Sequence, residues 1–318
     1  MMTITMTAQV EAYLAERTTL GFLGAGPNAS QLRSFARFFD DSGHRSSLTS
    51  DLAIEWAKGH ARSREPRAWA RRLDTLRPFA AYLLREDPAT EFPQTQIFGK
   101  SHRRATPHIY TEDEILALLA AARRLDPEGG LRPAAFEAFY GLIAATGLRV
   151  SEAIKLRCAD VDLGSRCLTV RMTKFNKSRH VPFHATVAVA LADYLRMRDH
   201  FLPRVAEDTF FVSTPSRSLK KRAVHWTFQK LRNEAGIVAR GAYRDVRIHD
   251  LRHTFICRRI QRWQAEGADI DNAIAALSTY VGHAKVSDTY WYLTGIPDLM
   301  ATAGNRFEHF AFGEAAHG

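Results

Sequence analysis

Helical spacing of apolar residues is the feature that most limits how this chain can fold. Within the first hundred residues, apolar side chains recur at intervals of three and four in the stretches 10–20, 31–39, 52–61 and 69–84. That spacing places the apolar side chains on one face of an α-helix. Segments rich in glycine, proline and polar residues separate the stretches. We therefore expect the N-terminal part to form a bundle of about four helices.

The rest of the chain shows the same helical spacing with one interruption. Thr111 and Glu114 match a capping box at the start of a helix, and further helices are predicted over 134–145, 186–198, 223–235, 249–264 and 272–281. Short apolar runs that flank a polar loop predict paired strands at 167–172 and 180–183, with another short strand around 160–163 and a brief extended piece at 210–212. The sequence thus predicts a mainly α chain with a small antiparallel β-sheet.

Residues 91–108 have the composition of a linker between two domains. They are polar and basic, they carry no apolar period, and they include Lys100, Arg103 and Arg104. We place a helical domain over 1–100, the linker over 101–110 and a second, α+β domain over 111–318.

The charge of the chain favours a polyanionic partner. Its formal net charge is +10, of which residues 1–100 carry +2 and residues 101–318 carry +8. Such an excess indicates nucleic acid before other partners. A basic strip near the start of the last N-terminal helix consists of Arg62, Arg64, Arg67, Arg71 and Arg72. The strip is interpreted either as a solvated helix face or as a surface that contacts phosphates.

Several classes of protein and site are disfavoured. No run of about 18 apolar residues is present, and residues 1–13 lack a basic segment that leads into an apolar run, so we expect neither a membrane span nor a secretory signal. Cys158, Cys167 and Cys257 form no C-x-x-C pair, which argues against a disulfide framework or a zinc knuckle. These features predict a cytoplasmic protein, and we expect no cofactor.

Three motifs carry the residue types that cleavage of a phosphodiester by a side chain requires. They are A-T-G-L-R-V-S-E with Arg149, H-D-L-R-H-T-F with His249 and Arg252, and V-G-H with His283, which Tyr292 follows nine residues later. Guanidinium groups hold phosphate oxygens well, histidine can move protons, and tyrosine can attack phosphorus. A phosphotyrosine link preserves the bond energy, so the cut strand can be resealed without ATP or metal.

The order and spacing of these motifs resemble the tyrosine recombinase (integrase) family, including the Xer-like site-specific recombinases. That family carries T-G-L-R-x-S-E, then H-x-L-R-H-T-F, then L-G-H followed nine residues later by tyrosine. The segment T-K-F-N-K-S-R-H-V-P at 173–182 is similar to the family's G-K-G-x-K-x-R-x-V-P hairpin. The specific motifs cover 145–292, whereas residues 1–100 match only in pattern and position.

The resemblance implies a role for each matched residue. Arg149 and Arg252 would hold the scissile phosphate. His249 would assist proton transfer and contact the phosphate, and His283 would donate a hydrogen bond to the phosphate. Tyr292 would attack and form a 3′-phosphotyrosyl link. Lys174 would then protonate the departing 5′ oxygen.

Two of these assignments have competitors in the sequence. Lys177 competes with Lys174, because the hairpin lacks the family's glycines beside the first lysine. Tyr290 competes with Tyr292, although the nine-residue spacing favours Tyr292. Two acidic residues are expected to be structural: Glu152 would orient the arginine helix, and Asp160 would cap or turn the entry to a strand.

The resemblance also implies partners and an assembly. It implies a two-domain clamp of the DNA breaking-rejoining type, with a helical core-binding domain, around double-stranded DNA that carries specific recombination sites. A tetramer on two such sites is implied, with or without partner recombinases, and the tail after Tyr292 would dock on its own domain or on a neighbour. The candidate DNA contacts outside the catalytic set are Arg62, Arg67, Arg71, Lys100, Arg103, Lys177 and Arg179.

Other functions stay open at this point. A type IB topoisomerase would relax DNA by related chemistry, and a catalytically inactive accessory protein would only bind it. A metal-dependent nuclease would need a carboxylate cluster at two-metal spacing, which the sequence does not show. The biological task, whether integration, excision, transposition or dimer resolution, is not set by these motifs.

Overall fold

The structure is a computed structural model that describes residues 5–22, 27–44, 47–59, 64–94, 96–101, 104–171, 178–202, 208–214 and 217–295. The chain divides into two compact units, Met1–Arg104 and Ala105–Gly318. The division falls inside the segment that the sequence predicts as a linker.

The first unit is built from the four helices that the apolar spacing predicts. They are α1 (Met6–Thr19), α2 (Pro27–Asp41), α3 (Ser50–Gly59) and α4 (Pro66–Leu83). Their apolar faces meet in one core, in which Phe35, Trp56 and Phe79 are fully buried. Thr5 caps α1 by accepting a hydrogen bond from the amide of Ala8 at 3.2 Å, a usual way to satisfy an exposed helix amide.

The second unit is mostly helical and contains the small sheet. Its helices are α5 (Glu112–Arg123), α6 (Leu131–Thr146), α7 (Val150–Ile154), α8 (Ala185–Phe201), α9 (Lys221–Glu234), α10 (Ile248–Ala265), α11 (Ile270–Val281) and α12 (Ser287–Gly295). Its strands are β1 (Val161–Asp162), β2 (Cys167–Val170), β3 (Arg179–Pro182), β4 (Val212–Thr214) and β5 (Arg217–Ser218). The predicted mainly α fold with a small antiparallel sheet is confirmed.

The three-stranded sheet has the order β1-β2-β3 with both neighbouring pairs antiparallel. In its register Leu168 lies opposite Val181, and both side chains are fully buried. The alternation of buried and exposed positions along β2 and β3 follows from the two-residue period of a strand. One face of the sheet therefore packs on the main core of the second unit.

Two local predictions are confirmed in detail. The hydroxyl of Thr111 accepts a hydrogen bond from the amide of Glu114 at 3.1 Å, and the carboxylate of Glu114 accepts one from the amide of Thr111 at 2.8 Å. This is the reciprocal capping box. Asp160 accepts a hydrogen bond from the amide of Arg157 at 3.1 Å, just before β1, so it does turn the chain into the strand.

The sequence predicts the helix that begins after Arg149, which is α7, and an extended piece at 210–212 that overlaps the start of β4, but it does not predict β5 or α12. The helix α7 has only five residues, and α12 mixes polar and aromatic residues without a clear apolar face. Both are held by tertiary contacts more than by their own amphipathic pattern, which is typical of short helices.

A small core separate from the main one holds the C-terminal helices together. It consists of Ile256, Cys257 and Ile260 from α10, Leu277 and Val281 from α11, and Tyr292 from α12. Cys158, Cys167 and Cys257 are not joined in disulfides, and Cys257 is fully buried here. Because Tyr292 belongs to this core, its packing fixes where α12 lies against α10. Within the described part of the chain, no helix is long and apolar enough to cross a membrane.

Candidate active site

The first motif places Arg149 at a sharp turn between two helices. Gly147 ends α6 in the left-handed conformation with φ +65°, and Arg149 precedes the first residue of α7. A Cβ atom on Gly147 would lie 2.6 Å from Cδ1 of Phe255. Both the positive φ and the close ring require glycine at this position.

Glu152 holds two arginines in place from a buried position. Its carboxylate accepts hydrogen bonds from Arg149 Nη1 at 2.7 Å and from the Arg149 amide at 3.0 Å. Arg179 on β3 donates to the same carboxylate from Nη1 at 3.1 Å and from Nη2 at 2.9 Å. Burial alone would raise the pKa of Glu152, but Arg179 and Arg149 hold it at about 2. Glu152 therefore stays charged and orients the turn, as expected from the sequence.

Arg252 is the most buried cation of the site, with 1% of its surface exposed. Its Nη1 donates to the carbonyl oxygen of Gly147 at 2.7 Å, and its Nη2 donates to that of Val281 at 2.7 Å. Burial, followed by the charge of Arg149, lowers the pKa of Arg252 to about 9. Two of its five N–H donors are thus used to join the ends of α6 and α11.

His249 and His253 lie on the same face of α10 as Arg252. They are four residues apart, and their rings meet edge to face with centroids 4.7 Å apart. Part of the His249 surface is open to solvent, but enclosure by the surrounding elements and the charges of Arg252, Arg247 and Arg149 lower its pKa to about 4. Enclosure and the charge of His249 lower the pKa of His253 to about 2. Both rings are therefore neutral near neutral pH.

Tyr292 is buried between two histidines. Its hydroxyl lies 2.6 Å from Nδ1 of His253, and its ring stacks on that of His283 at a centroid distance of 6.4 Å and an angle of 8°. The residue is 3% exposed. His283 is itself oriented by Thr289, whose Oγ1 lies 2.7 Å from His283 Nδ1. The Tyr292 oxygen therefore contacts His253, the residue that follows Arg252 in the sequence.

Tyr290 points elsewhere. It is 39% exposed, and its hydroxyl donates to Oδ1 of Asp271 at 2.9 Å. Asp271 lies in the first turn of α11, whereas the carbonyl that binds Arg252 belongs to Val281 at the other end of that helix. At 1.5 Å per residue these ends are about 15 Å apart. The geometry thus sets Tyr290 apart from the arginines.

Of the six residues that the sequence assigns to catalysis, the structure brings five together. Arg149, His249, Arg252, His283 and Tyr292 come from the three separate motifs and surround the C-terminal end of α11. Lys174 and its competitor Lys177 lie outside the described residues. Their assignments stay predictions.

The candidate DNA contacts divide into three groups. Arg67, Arg71 and Lys100 are exposed in the first unit. Arg62 and Arg103 lie outside the described residues. Arg179 needs a correction: its side chain is 10% exposed, and its guanidinium is bound to Glu152 and to the carbonyl oxygen of Tyr280. We therefore assign Arg179 a positioning role in place of a DNA contact.

Sequence reasoning missed two residues of this site. His253 was available as the histidine directly after Arg252 in the second motif, four residues from His249. Arg247 precedes α10 and binds the fully buried Asp250 through its amide at 2.8 Å and through Nη2 at 2.6 Å. This pair fixes the start of the helix that carries His249, Arg252 and His253.

A cleft beside the arginines is lined by polar and basic side chains. Arg149 and His249 lie at one side of it, and Lys221, His225 and Gln229 of α9 line another. These α9 residues are spaced by four and so share one helix face. Among the residues that the structure describes, no group of three histidine, cysteine or acidic side chains could hold a metal ion. The lining also includes Arg232 and Arg247, the acidic Asp245, and apolar side chains such as Phe228 and Ile248, so cations outnumber acids around the cleft.

Comparisons with known proteins agree on one family. The family model described as "Phage integrase family" matches residues 109–295. The putative integrase/recombinase y4rB of Sinorhizobium fredii is 37% identical over 305 residues, which cover 94% of this chain and 96% of that protein. The tyrosine recombinase XerD of Caulobacter vibrioides is 32% identical over 232 residues, which cover 73% and 72% of the two chains.

A solved structure shows the same fold at low sequence identity. The XerH site-specific recombinase, in a post-cleavage complex with its palindromic difH substrate, superposes with a TM-score of 0.68 at 18% identity. The match covers 95% of this chain and 85% of that one. The match therefore extends over residues of both units.

Proposed function

This chain belongs to the phage integrase family and is a site-specific DNA recombinase, and we propose that it breaks each strand with the phenolic oxygen of Tyr292. The observation that carries the assignment is the meeting of the three motifs at the end of α11. Arg149 and Arg252 bind the carbonyl oxygens of Gly282 and Val281 there, next to His283. The hydroxyl of Tyr292 contacts His253, which is adjacent to Arg252 on α10.

The proposed reaction uses each group for one task. Arg149 and Arg252 neutralise the growing charge on the phosphate oxygens, because fixed cations stabilise a transition state without reorganising. The Tyr292 oxygen forms a bond to phosphorus while the bond to the 5′ oxygen breaks, which leaves a 3′-phosphotyrosyl link. His249 assists proton transfer and contacts the phosphate, and His283 donates a hydrogen bond to the phosphate, as the resemblance implies. In the return step a 5′ hydroxyl attacks the link and releases the tyrosine.

Lys174 is proposed as the acid that protonates the departing 5′ oxygen. The proposal is supported by the motif, since β3 continues directly from the predicted hairpin and is anchored to the site by Arg179. Cleavage by Lys174→Ala should be slow on an ordinary duplex and should recover on one whose scissile 5′ oxygen is replaced by sulfur, because a thiolate leaves without an acid. Lys177→Ala is the matched comparison, and recovery in that variant alone would move the role to Lys177.

The nucleophile assignment is tested by a pair of substitutions that each remove one hydroxyl. Nicked duplexes from a randomised library are incubated with the protein, and DNA that stays attached in SDS is recovered and sequenced to define a working substrate. Tyr292→Phe should form no attached product, whereas Tyr290→Phe should form as much as the unaltered protein. Attached product from Tyr292→Phe would overturn the assignment.

We propose that the first unit is a DNA-binding domain that holds the duplex through the exposed face of α4. Arg67 and Arg71 lie one helical turn apart and are both exposed, so they can contact neighbouring phosphates. The double variant Arg67→Ala/Arg71→Ala should bind duplex DNA more weakly, with a salt dependence reduced by about two counterions. Arg85→Ala is the control, because Arg85 is also exposed but pairs with Glu16. An unchanged salt dependence would contradict the proposal.

We also propose that four copies act together on two DNA sites. Exchange between two duplexes breaks four strands, and each chain supplies one proposed nucleophile, so four chains are needed. Mass photometry of the protein with the selected duplex should show a species with four chains and two duplexes. Exchange between two such sites, measured against relaxation of a supercoiled plasmid that lacks them, separates recombination from topoisomerase activity.

A further inference from the structure

We propose that His253 is a further catalytic residue, whose Nδ1 atom takes the proton of the Tyr292 hydroxyl as the phenolic oxygen attacks phosphorus. The inference rests on the proposed function, in which Tyr292 is the nucleophile. It assigns the removal of this particular proton to His253, whereas the resemblance gives His249 a general part in proton transfer.

The contact between the two side chains has the geometry of a proton transfer. Nδ1 of His253 and the Tyr292 oxygen are 2.6 Å apart, and the ring centroids lie 5.6 Å apart at an angle of 45°. The atom that accepts the proton must lie within about 2.6–3.2 Å of the atom that carries it. Tyr292 is 3% exposed, so bulk water has little access to act as the base instead.

Helix α10 presents this base and the phosphate ligands on a single face. His249, Arg252 and His253 occupy positions i, i+3 and i+4 of the helix, which lie side by side. Arg252 is fixed by two carbonyl oxygens, one from Gly147 and one from Val281. A phosphate bound by Arg252 therefore lies at a fixed distance from His253. It also lies at a fixed distance from the Tyr292 oxygen, which His253 contacts.

The surroundings of His253 keep its ring neutral in the DNA-free protein. The groups that face it are His249, Arg247 and Arg252 from α10, together with His283 and Tyr292 from the chain around α12. Burial and these groups hold the pKa of His253 at about 2, so its lone pair is free of a proton at neutral pH. His283 is a poorer candidate, because its Nδ1 atom already contacts Thr289 and its ring lies parallel to that of Tyr292.

The proton and the bonds balance through both steps. In cleavage, the O–H proton of Tyr292 moves to Nδ1 of His253, the oxygen–phosphorus bond forms and the bond to the 5′ oxygen breaks. The acid proposed above gives its proton to that 5′ oxygen. In rejoining, the 5′ hydroxyl loses its proton to that acid site, its oxygen forms a bond to phosphorus while the phosphotyrosyl bond breaks, and Nδ1 returns the first proton to Tyr292.

Two substitutions separate proton transfer from mere positioning. His253→Asn places an amide oxygen near the position of Nδ1, which can accept the hydrogen bond but not the proton, whereas His253→Ala removes both. With the selected nicked duplex in single turnovers, both variants should cleave about 100-fold to 10,000-fold more slowly than the unaltered protein. Gel-shift binding of the same duplex should change little, which shows that the variants are folded.

The pH profile and the acidity of the phenol give a second readout. The unaltered protein should cleave at a nearly constant rate between pH 6 and 8. Both variants should speed up about tenfold per pH unit, because they depend on ionised tyrosine, whose ordinary pKa is about 10. A fluorinated tyrosine at position 292 ionises at lower pH. It should increase the cleavage rate of His253→Ala by a larger factor than that of the unaltered protein.

The other possible outcomes would contradict the base role of His253, its contact with Tyr292 or the proposed function. If His253→Asn cleaves as fast as the unaltered protein, His253 only positions Tyr292 and does not take its proton. If either variant cleaves faster, the contact with His253 holds Tyr292 back before DNA binds. Should the variants not fold, ¹⁵N NMR of the DNA-free protein decides: the Nδ1 signal of His253 must change on Tyr292→Phe, and an unchanged signal contradicts the contact. If the unaltered protein attaches to no duplex of the library, the proposed function fails before this inference is reached.

Discussion

Arg149 and Arg252 donate hydrogen bonds to neighbouring carbonyl oxygens, those of Gly282 at 2.6 Å and Val281 at 2.7 Å. Carbonyl groups in the last turn of a helix lack partners within the helix and carry partial negative charge. The end of α11 therefore orients both guanidinium groups before any DNA is present. A site ordered in this way does not have to rearrange its cations during the reaction, which is the main source of electrostatic catalysis.

Arg252→Lys should reduce cleavage about 100-fold or more while leaving noncovalent DNA binding within a few-fold. An ammonium group is a compact charge and cannot join the carbonyl oxygens of Gly147 and Val281 as the planar guanidinium does. The measurement is single-turnover cleavage beside gel-shift affinity. Arg262→Lys is the control on the same helix, because Arg262 is 71% exposed and pairs with Glu266. Equal cleavage by both variants would remove Arg252 from the mechanism.

Gly147→Ala should destabilise the protein by about 1–3 kcal/mol more than Gly267→Ala. Both glycines have positive φ, +65° and +72°, so both substitutions carry the left-handed strain of about 1–2 kcal/mol. At Gly147 the new Cβ also meets the Phe255 ring at 2.6 Å, whereas at Gly267 it meets nothing within 4 Å. The free energy of unfolding in urea gives the difference. Cleavage should fall only in Gly147→Ala, since that residue accepts a hydrogen bond from Arg252, and equal effects at both sites would contradict the assigned crowding.

Most of the fold could be predicted because its longer helices carry their own amphipathic pattern. The capping box at Thr111 and the glycine that ends α6 are local signals, and both were readable from the sequence. The helix α12 was not, because its position depends on packing of Tyr292 against residues such as Ile260 and Leu277. Contacts between distant segments leave no periodic trace in one sequence.

The site shows the same division between local and long-range signals. The motifs identified Arg149, Arg252 and Tyr292, since order and spacing along the chain are what a sequence records. The role of Arg179 was misread, because its partner Glu152 is 27 residues away and a basic residue beside a predicted hairpin is equally suited to contact DNA. His253 was passed over for a similar reason: its partner is 39 residues away.

Glu152→Gln should slow cleavage and cost about 3–5 kcal/mol of stability at neutral pH. The amide leaves Arg149 and Arg179 without a buried counter-charge, and Arg149 is then free to leave the position that holds phosphate. Because the pKa of Glu152 is lowered to about 2 in the folded protein, its stabilisation is present above about pH 4.5 and is lost as the pH falls towards 2. The variant should therefore lose less stability than the unaltered protein over that range. Glu266→Gln, on an exposed pair, is the control, and a similar cost there would contradict the role of Glu152.

Acid should destabilise the protein already between pH 6.5 and 5, and His253→Asn should reduce that loss. The folded-state pKa values of His249 and His253 lie at about 4 and about 2, below the ordinary 6.5. The unfolded chain therefore binds more protons in this range, so the stability that these rings contribute is present above pH 6.5 and declines as the pH falls. For His253 the contribution over this window is at most about 2 kcal/mol, since one pKa unit corresponds to 1.36 kcal/mol.

Urea unfolding at pH 7, 6 and 5 measures how steeply stability depends on pH, with His200→Asn on an exposed part of α8 as the control. His108 and His225, whose pKa values are also lowered, mainly by burial, leave a residual slope in the variant. A slope in His253→Asn as steep as in the unaltered protein would mean that folding does not lower the pKa of His253, which would contradict its burial among cationic groups.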